Sequence, residues 1–341
     1  MKAYKRFIIL FFLFIFTNLA IIIGININID NYGIFRTDFS KQIIEPNQNY
    51  DKMRFILSHK TKYDSFIFGS SRVGKIDPFK IKDGRYYNFT YADGLPQEHL
   101  KNIKILLKNG VKIKNILIGL DDFSYRLYPS EHYKSLLNMP YPSNIFEKLV
   151  FFSDYFIRMP NKFTEKDVIQ KLDYDITNSG RPICKDCDAK IDSNPLEYLN
   201  DKKFNVPTHK ENKNVYLPET LASIKELVNI CKKNNINLII FINPIHKTSY
   251  LANNLDNFDK FKKDLAKITD YYDFSGLNKI TTNNLMYYET SHYRVKVGDM
   301  IINKIYYSKD KSSNCNSFGA YVTALNIDKH LSCFINDFKK H

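Results

Sequence analysis

Ser65-Phe66-Ile67-Phe68-Gly69-Ser70-Ser71-Arg72 governs how the rest of this 341-residue chain is read. A short apolar run that ends on a glycine reads as a buried strand, and the serines after it stand where a strand hands over to a loop. Similar units recur downstream. Tyr86 to Phe89 predicts a second strand, Leu95 to Lys108 carries apolar residues at helical spacing closed by Asn109-Gly110, and Asn115 to Ile118 predicts a third strand. Farther on, Pro218 to Lys233 reads as a helix and Asn237 to Ile242 as a strand stopped by Asn243-Pro244. A helix over about Phe258 to Ile268, a strand over Tyr271 to Phe274 and a helix over about Lys296 to Tyr307 follow. Strands alternating with helices of this length predict an α/β fold, with a mostly parallel sheet covered on both faces.

The stretch from about Ser124 to Val215 breaks this rhythm and reads as an insertion. It holds several prolines, a Cys184-x-x-Cys187 pair and the aromatic cluster Phe151-Phe152-Ser153-Asp154-Tyr155-Phe156. The cluster suits either a small core or a surface that stacks on sugar rings. An insertion after the third strand would overhang the carboxyl ends of the strands, where ligands of α/β sheets bind.

The amino terminus bears on location. Lys2, Lys5 and Arg6 precede an uncharged run from Phe7 to Ile23 that Gly24 to Ile29 prolongs, long enough for ~30 Å of hydrocarbon. Basic residues before the span predict a cytoplasmic amino terminus and an extracytoplasmic main domain. A cleaved signal peptide is the competing reading, but this run exceeds the usual ~7–15 apolar residues and no clear Ala-x-Ala site follows it.

A net charge of +14 raises the question of nucleic acid, but the lysines are scattered and no zinc-finger, RNP or P-loop pattern accompanies them. No nucleic-acid partner is expected; the charge reads as a solvated surface, suited to anionic envelope polymers or lipid headgroups. Five cysteines leave at least one unpaired within the chain. Cys184 and Cys187 suit a tight disulfide, half a zinc site or a redox pair, with a structural disulfide the leading reading. Cys315 and Cys333 could bridge the carboxyl-terminal tail, and Cys231 falls in a helical pattern as a core residue.

Candidate site residues gather at one edge of the predicted sheet. Ser71 follows the first strand, Gly94 the second, Asp121 and Asp122 the third, and Glu289 and His292, in Tyr288-Glu289-Thr290-Ser291-His292-Tyr293, the last. A carboxylate that orients a histidine, which in turn takes a serine proton, makes a nucleophilic triad. Arg72 would steer an anionic substrate or pair with a carboxylate. His246, after Asn243-Pro244, could contact substrate or stand at the surface.

On these motifs the chain resembles the SGNH (GDSL-like) hydrolases over roughly Ser65 to Tyr307. Gly69-Ser70-Ser71 is similar to the Gly-x-Ser that carries the nucleophile, and Gly94 to the glycine supplying an oxyanion N–H. Gly119-Leu120-Asp121-Asp122 matches their Gly-x-Asn-Asp, and Glu289-Thr290-Ser291-His292 their late Asp-x-x-His. The anchor, Gly-Ser-Ser-Arg and Ser-His-Tyr look like membrane-anchored envelope members, some of which act on acyl groups of surface polysaccharides. The resemblance implies a three-layer α/β/α fold with a flavodoxin-like sheet. Residues 1–29 would be tip and anchor, 30–60 a lead-in, 61–308 the SGNH-like domain with its insertion, and 309–341 a tail. It further implies a serine esterase or O-acyltransferase acting on acetyl esters of envelope glycans, without cofactor or metal. The alternative is an inactive SGNH-fold binding or assembly factor working with polysaccharide-biosynthesis proteins. Asp121 supports that alternative, because an ionised aspartate cannot donate the oxyanion hydrogen bond that the family's asparagine gives.

Overall fold

The computed structural model describes all residues except 1, 38–44, 46, 133–137, 158–172, 184–185, 209–214, 310–316 and 339–341. The helices include α1 (Lys2–Ile29), α2 (Pro96–Lys108), α3 (Ile145–Ile157), α4 (Cys187–Ser193), α5 (Pro218–Lys233), α6 (Leu255–Ala266), α7 (Val295–Ile302) and α8 (Ile327–Phe338). One sheet contains β1 (Ser65–Phe68), β2 (Tyr86–Asn88), β3 (Asn115–Leu120), β4 (Asn237–Ile242), β5 (Tyr271–Asp273) and β6 (Ala320–Val322). Two compact units result, residues 1–51 with 133–172, and residues 52–132 with 173–341. The stretch read as a single insertion is thus shared, 133–172 going with the first unit and 173–215 with the second.

In the first unit, Ala3–Ile29 is long and apolar enough to cross a membrane. Phe151 and Tyr155 of α3 fill a small core with Tyr32, Ile34 and Tyr50. That half of the aromatic cluster is therefore packing, not a sugar platform.

The second unit is mixed α/β, with strand order β2-β1-β3-β4-β5-β6. Five strands are parallel and β6 runs antiparallel to β5. Every residue of β1 and β3 is buried, so both faces of the sheet are covered and, after Ser65 and Asn115 at their starts, these strands are apolar instead of alternating. Side chains of one face, among them Ile67, Leu117, Phe241 and Tyr272, pack with Val297 and Ile301 of α7. Helix α2 starts at Pro96, a residue already shaped for a first turn, and Glu98 accepts the Leu95 N–H at 3.0 Å. Gly110, at φ +80°, takes the chain out of it.

Residues 320–338, expected as part of a tail, instead close the sheet edge and add a helix. A three-residue strand carries no period of its own and forms only because β5 offers it an edge. A buried charge cluster fastens α8 there. Asp273 on β5 lies 3.0 Å from Lys262 Nζ of α6, accepts from His330 Nε2 of α8 at 2.9 Å and accepts from Ser275 Oγ at 2.6 Å. Burial alone would raise the Asp273 pKa, but Lys262 and His330 hold it well below the ordinary carboxylate range. Because the native pKa is depressed, this stabilisation is fully present above the unfolded value of ~3.9 and is lost as pH falls toward the native one. Urea unfolding below about pH 4 is expected to show a pH slope that is shallower in Asp273→Asn. An unchanged slope would remove Asp273 as its source.

Cys231 is buried and unpaired, as a core residue should be. Cys187 and Cys333 are each in a disulfide, while the expected partners Cys184 and Cys315 lie outside the described residues.

Candidate active site

The chain leaves β1 through Gly69 at φ +150°, a conformation that side-chain-bearing residues avoid. A Cβ there would stand 2.5 Å from Val73 Cγ2 and 3.0 Å from Gly119 O. The tight passage lets the following turn, with Val73 N–H donating to Ser70 O at 3.0 Å, sit directly on the end of the sheet. Ser71 is carried on that turn. Since β1 continues into β2 on one side and β3 lies on the other, Ser71 stands at the point where strand order reverses, where open α/β sheets form their ligand crevice.

The partner residues arrive on the long connection after β5. Tyr287 and Tyr293 form an antiparallel bridge, and Tyr288 N–H donates to His292 O at 2.8 Å, pinching Glu289 to His292 into a closed turn. Inside it Glu289 accepts the backbone N–H of Ser291 at 2.5 Å and of His292 at 2.9 Å. The same carboxylate binds His292 Nδ1 in a short contact, and His292 Nε2 lies 2.8 Å from Ser71 Oγ. An ionised carboxylate only accepts, so Nδ1 carries the proton and Nε2 is left to accept from the serine. Against the effect of burial, His292 and the two N–H groups lower the Glu289 pKa. His292 and Glu289 side chains are 32% and 39% exposed, so the constellation opens to solvent.

Beneath it lies a buried polar network that relocates two expected site residues. Arg72 is 1% exposed, so it does not steer a substrate. Its Nη1 binds Asp121 at 2.9 Å and Asp122 at 2.5 Å, and its Nε donates to Ser291 O at 2.9 Å. Asp121, also 1% exposed, accepts from Asn243 Nδ2 at 3.0 Å on the same Oδ1 that binds the guanidinium, so its carboxylate is held by a buried counter-charge. Burial raises the Asp121 pKa against the pull of Arg72, whereas at Asp122 that pull outweighs burial and the pKa falls. Asn253 donates to Asp122 at 2.9 Å, and Tyr293 to Asn243 Oδ1 at 3.1 Å. One guanidinium thereby ties the segments after β1 and β3 to the loop that carries His292.

Gly94 lies against the turn that carries Ser71, since a Cβ on it would meet Gly69 O at 2.6 Å. Its N–H, expected to face an oxyanion, donates to Tyr91 O at 3.3 Å. The Ser71 N–H makes no hydrogen bond among the described residues and is an available donor beside the Ser71 hydroxyl. His246, read as a surface or substrate-contacting group, is buried, with Nε2 2.9 Å from Asn284 Oδ1 and Nδ1 accepting Thr248 N–H at 3.3 Å.

Several positioning residues escaped the sequence reading. Asn243 was legible only as a strand stop, although its place at the end of β4 matches that of Ser71 and Asp121 on their strands. Arg294 is 3% exposed and binds Asp188 at 2.6 Å and Asp192 at 2.9 Å on α4. Tyr288 OH also donates to Asp188, at 3.0 Å. Those two acidic residues sit on a short helix that nothing in the sequence connects with residues 288–294. No protein-family model matches this chain, and no curated protein matches it in sequence.

Proposed function

We propose that this chain is a membrane-anchored, extracytoplasmic serine esterase or O-acyltransferase of the SGNH type, acting on acetyl esters of cell-envelope glycans. The observation that carries the reading is the hydrogen-bonded line from Ser71 Oγ through His292 to Glu289, with 2.8 Å between Oγ and Nε2. In this reading His292 Nε2 takes the hydroxyl proton as Oγ attacks the ester carbonyl, and Glu289 steadies the imidazolium. The protonated His292 then delivers its proton to the departing alkoxide, leaving an acyl-serine. Water as the second substrate makes an esterase, and a sugar hydroxyl makes a transferase. The Ser71 N–H stabilises the oxyanion.

Two further observations support the family. The parallel strands run in the order 2-1-3-4-5, the flavodoxin-like order, and the nucleophile follows the first of them. The anchor and the basic residues before it favour an extracytoplasmic domain, and hence an envelope glycan over a cytosolic metabolite. The inactive binding-factor reading draws on Asp121; that carboxylate is bound through Oδ1 to Arg72 and Asn243, which supports catalysis over that alternative.

A fluorophosphonate probe tests this directly. The full-length protein is expected to be labelled at Ser71, and Ser71→Ala to abolish labelling with its urea midpoint unchanged. Folded wild-type protein that takes up no probe would point to the binding role. Acetate release from an acetylated glycan, with and without an acceptor sugar, separates esterase from transferase.

A further inference from the structure

Helix α3 carries large apolar side chains on both sides, which a helix does when it is buried or lies against lipid. Phe151 and Tyr155 face the small core, and Phe152 and Phe156 stack on Phe35 with ring centroids 6.2 and 5.3 Å away. The opposite side presents Ile145, Phe146, Leu149, Val150 and Ile157, exposed by 64, 76, 63, 60 and 56%. At helical spacing these form one stripe, interrupted by Ser153 and bordered by Glu147 and Asp154. A stripe of this size left in water is a liability that soluble surfaces avoid.

The place of the stripe identifies what covers it. Helix α3 packs on α1, and its end meets the carboxyl-terminal part of that helix, where Asn26 Nδ2 donates to Phe156 O at 2.6 Å. Counting the ~20 residues that cross a bilayer from Phe7, the first of the uncharged run, brings the hydrocarbon boundary to Asn26. We propose that α3 is an interfacial helix whose Ile145, Phe146, Leu149, Val150 and Ile157 lie in the acyl region of the outer leaflet beside the point where α1 emerges. This rests on α1 being the membrane anchor of the function proposed above. The protein then holds the membrane at two places, one helix spanning it and one lying in its surface.

The chain contains no tryptophan, so one introduced residue reports alone. Full-length Leu149→Trp, Phe14→Trp in α1 and Phe79→Trp in the second unit would each be reconstituted in phosphatidylcholine vesicles. Quenching would be compared between phosphatidylcholine brominated near the headgroup end of its acyl chains and aqueous iodide. Leu149→Trp is expected to show blue-shifted emission, strong quenching by the brominated lipid and little by iodide, with Phe79→Trp showing the reverse. Iodide quenching of Leu149→Trp equal to that of Phe79→Trp would overturn the inference. Shielding from both quenchers would also overturn it, showing that a second copy or another protein covers the stripe. If Phe14→Trp itself escapes the lipid quencher, the anchor reading falls and this one with it; quenching there but not at Leu149→Trp defeats only the interfacial helix.

Discussion

Arg72→Leu is expected to destabilise the protein by ~3–5 kcal/mol, because it leaves two carboxylates buried without their cation. Both Asp121 and Asp122 are essentially inaccessible to water, at 1% and 2% exposure, and each binds the same Nη1. A loss of this size is a large part of the ~5–15 kcal/mol that holds a typical domain together. With a urea slope of ~1–3 kcal/mol/M it moves the midpoint down by about 2 M. Arg72→Leu combined with Asp121→Asn and Asp122→Asn should regain much of the loss, since no buried charge then lacks a partner. Arg72→Lys should recover little, because an ammonium cannot serve two carboxylates and the Ser291 carbonyl in the geometry of a planar guanidinium. Asp121→Asn alone should not raise turnover of a small acetyl ester. A gain would mean that the carboxylate faces the reacting oxygen and that the inward placement is wrong.

His292→Ala should lower the rate of Ser71 acylation by at least ~10³-fold while leaving the urea midpoint nearly unchanged. The imidazole is a third exposed, so its removal empties little core, yet in the proposed mechanism it is the group that takes the serine proton, from 2.8 Å away. Glu289→Gln should cost ~10²–10⁴-fold by a different route. The amide can donate to Nδ1, which favours the tautomer protonated on Nε2, and that nitrogen then cannot accept from Ser71. Stopped-flow labelling with a fluorophosphonate across pH would read both effects. Since the Glu289 pKa is lowered, its protonation should begin to impair wild-type labelling only below the ordinary glutamate range, under about pH 4.3. Equal labelling by wild type and His292→Ala would show that the Ser71–His292 contact is not a catalytic one.

Most elements of the sheet were legible because each carries its own local pattern. Ser65–Phe68, Asn237–Ile242 and Pro218–Lys233 have the predicted bounds, each being an apolar run or a 3.6-residue period closed by a glycine, a proline or an Asn-containing turn. Strand β6 and helix α8 were not legible as part of the domain. Their order depends on β5 as a pairing edge and on the Lys262–Asp273–His330 cluster, whose members are far apart in sequence.

For the site the division is sharper. The sequence by itself determined that Ser71, Asp121 and the Glu289–His292 stretch follow strands at one end of a parallel sheet, because strand ends are marked by local residue chemistry and parallel strands share a direction. It also determined the Glu-x-x-His pair, since residues three apart in a tight turn are neighbours whatever the fold. Tertiary structure alone decided that Ser71 meets His292 across 221 positions of sequence separation. It alone decided, too, that Arg72 and Asp121 face each other inside the protein. Whether a charged side chain points outward or is buried depends on whether a counter-charge lies within reach, and that partner comes from another strand.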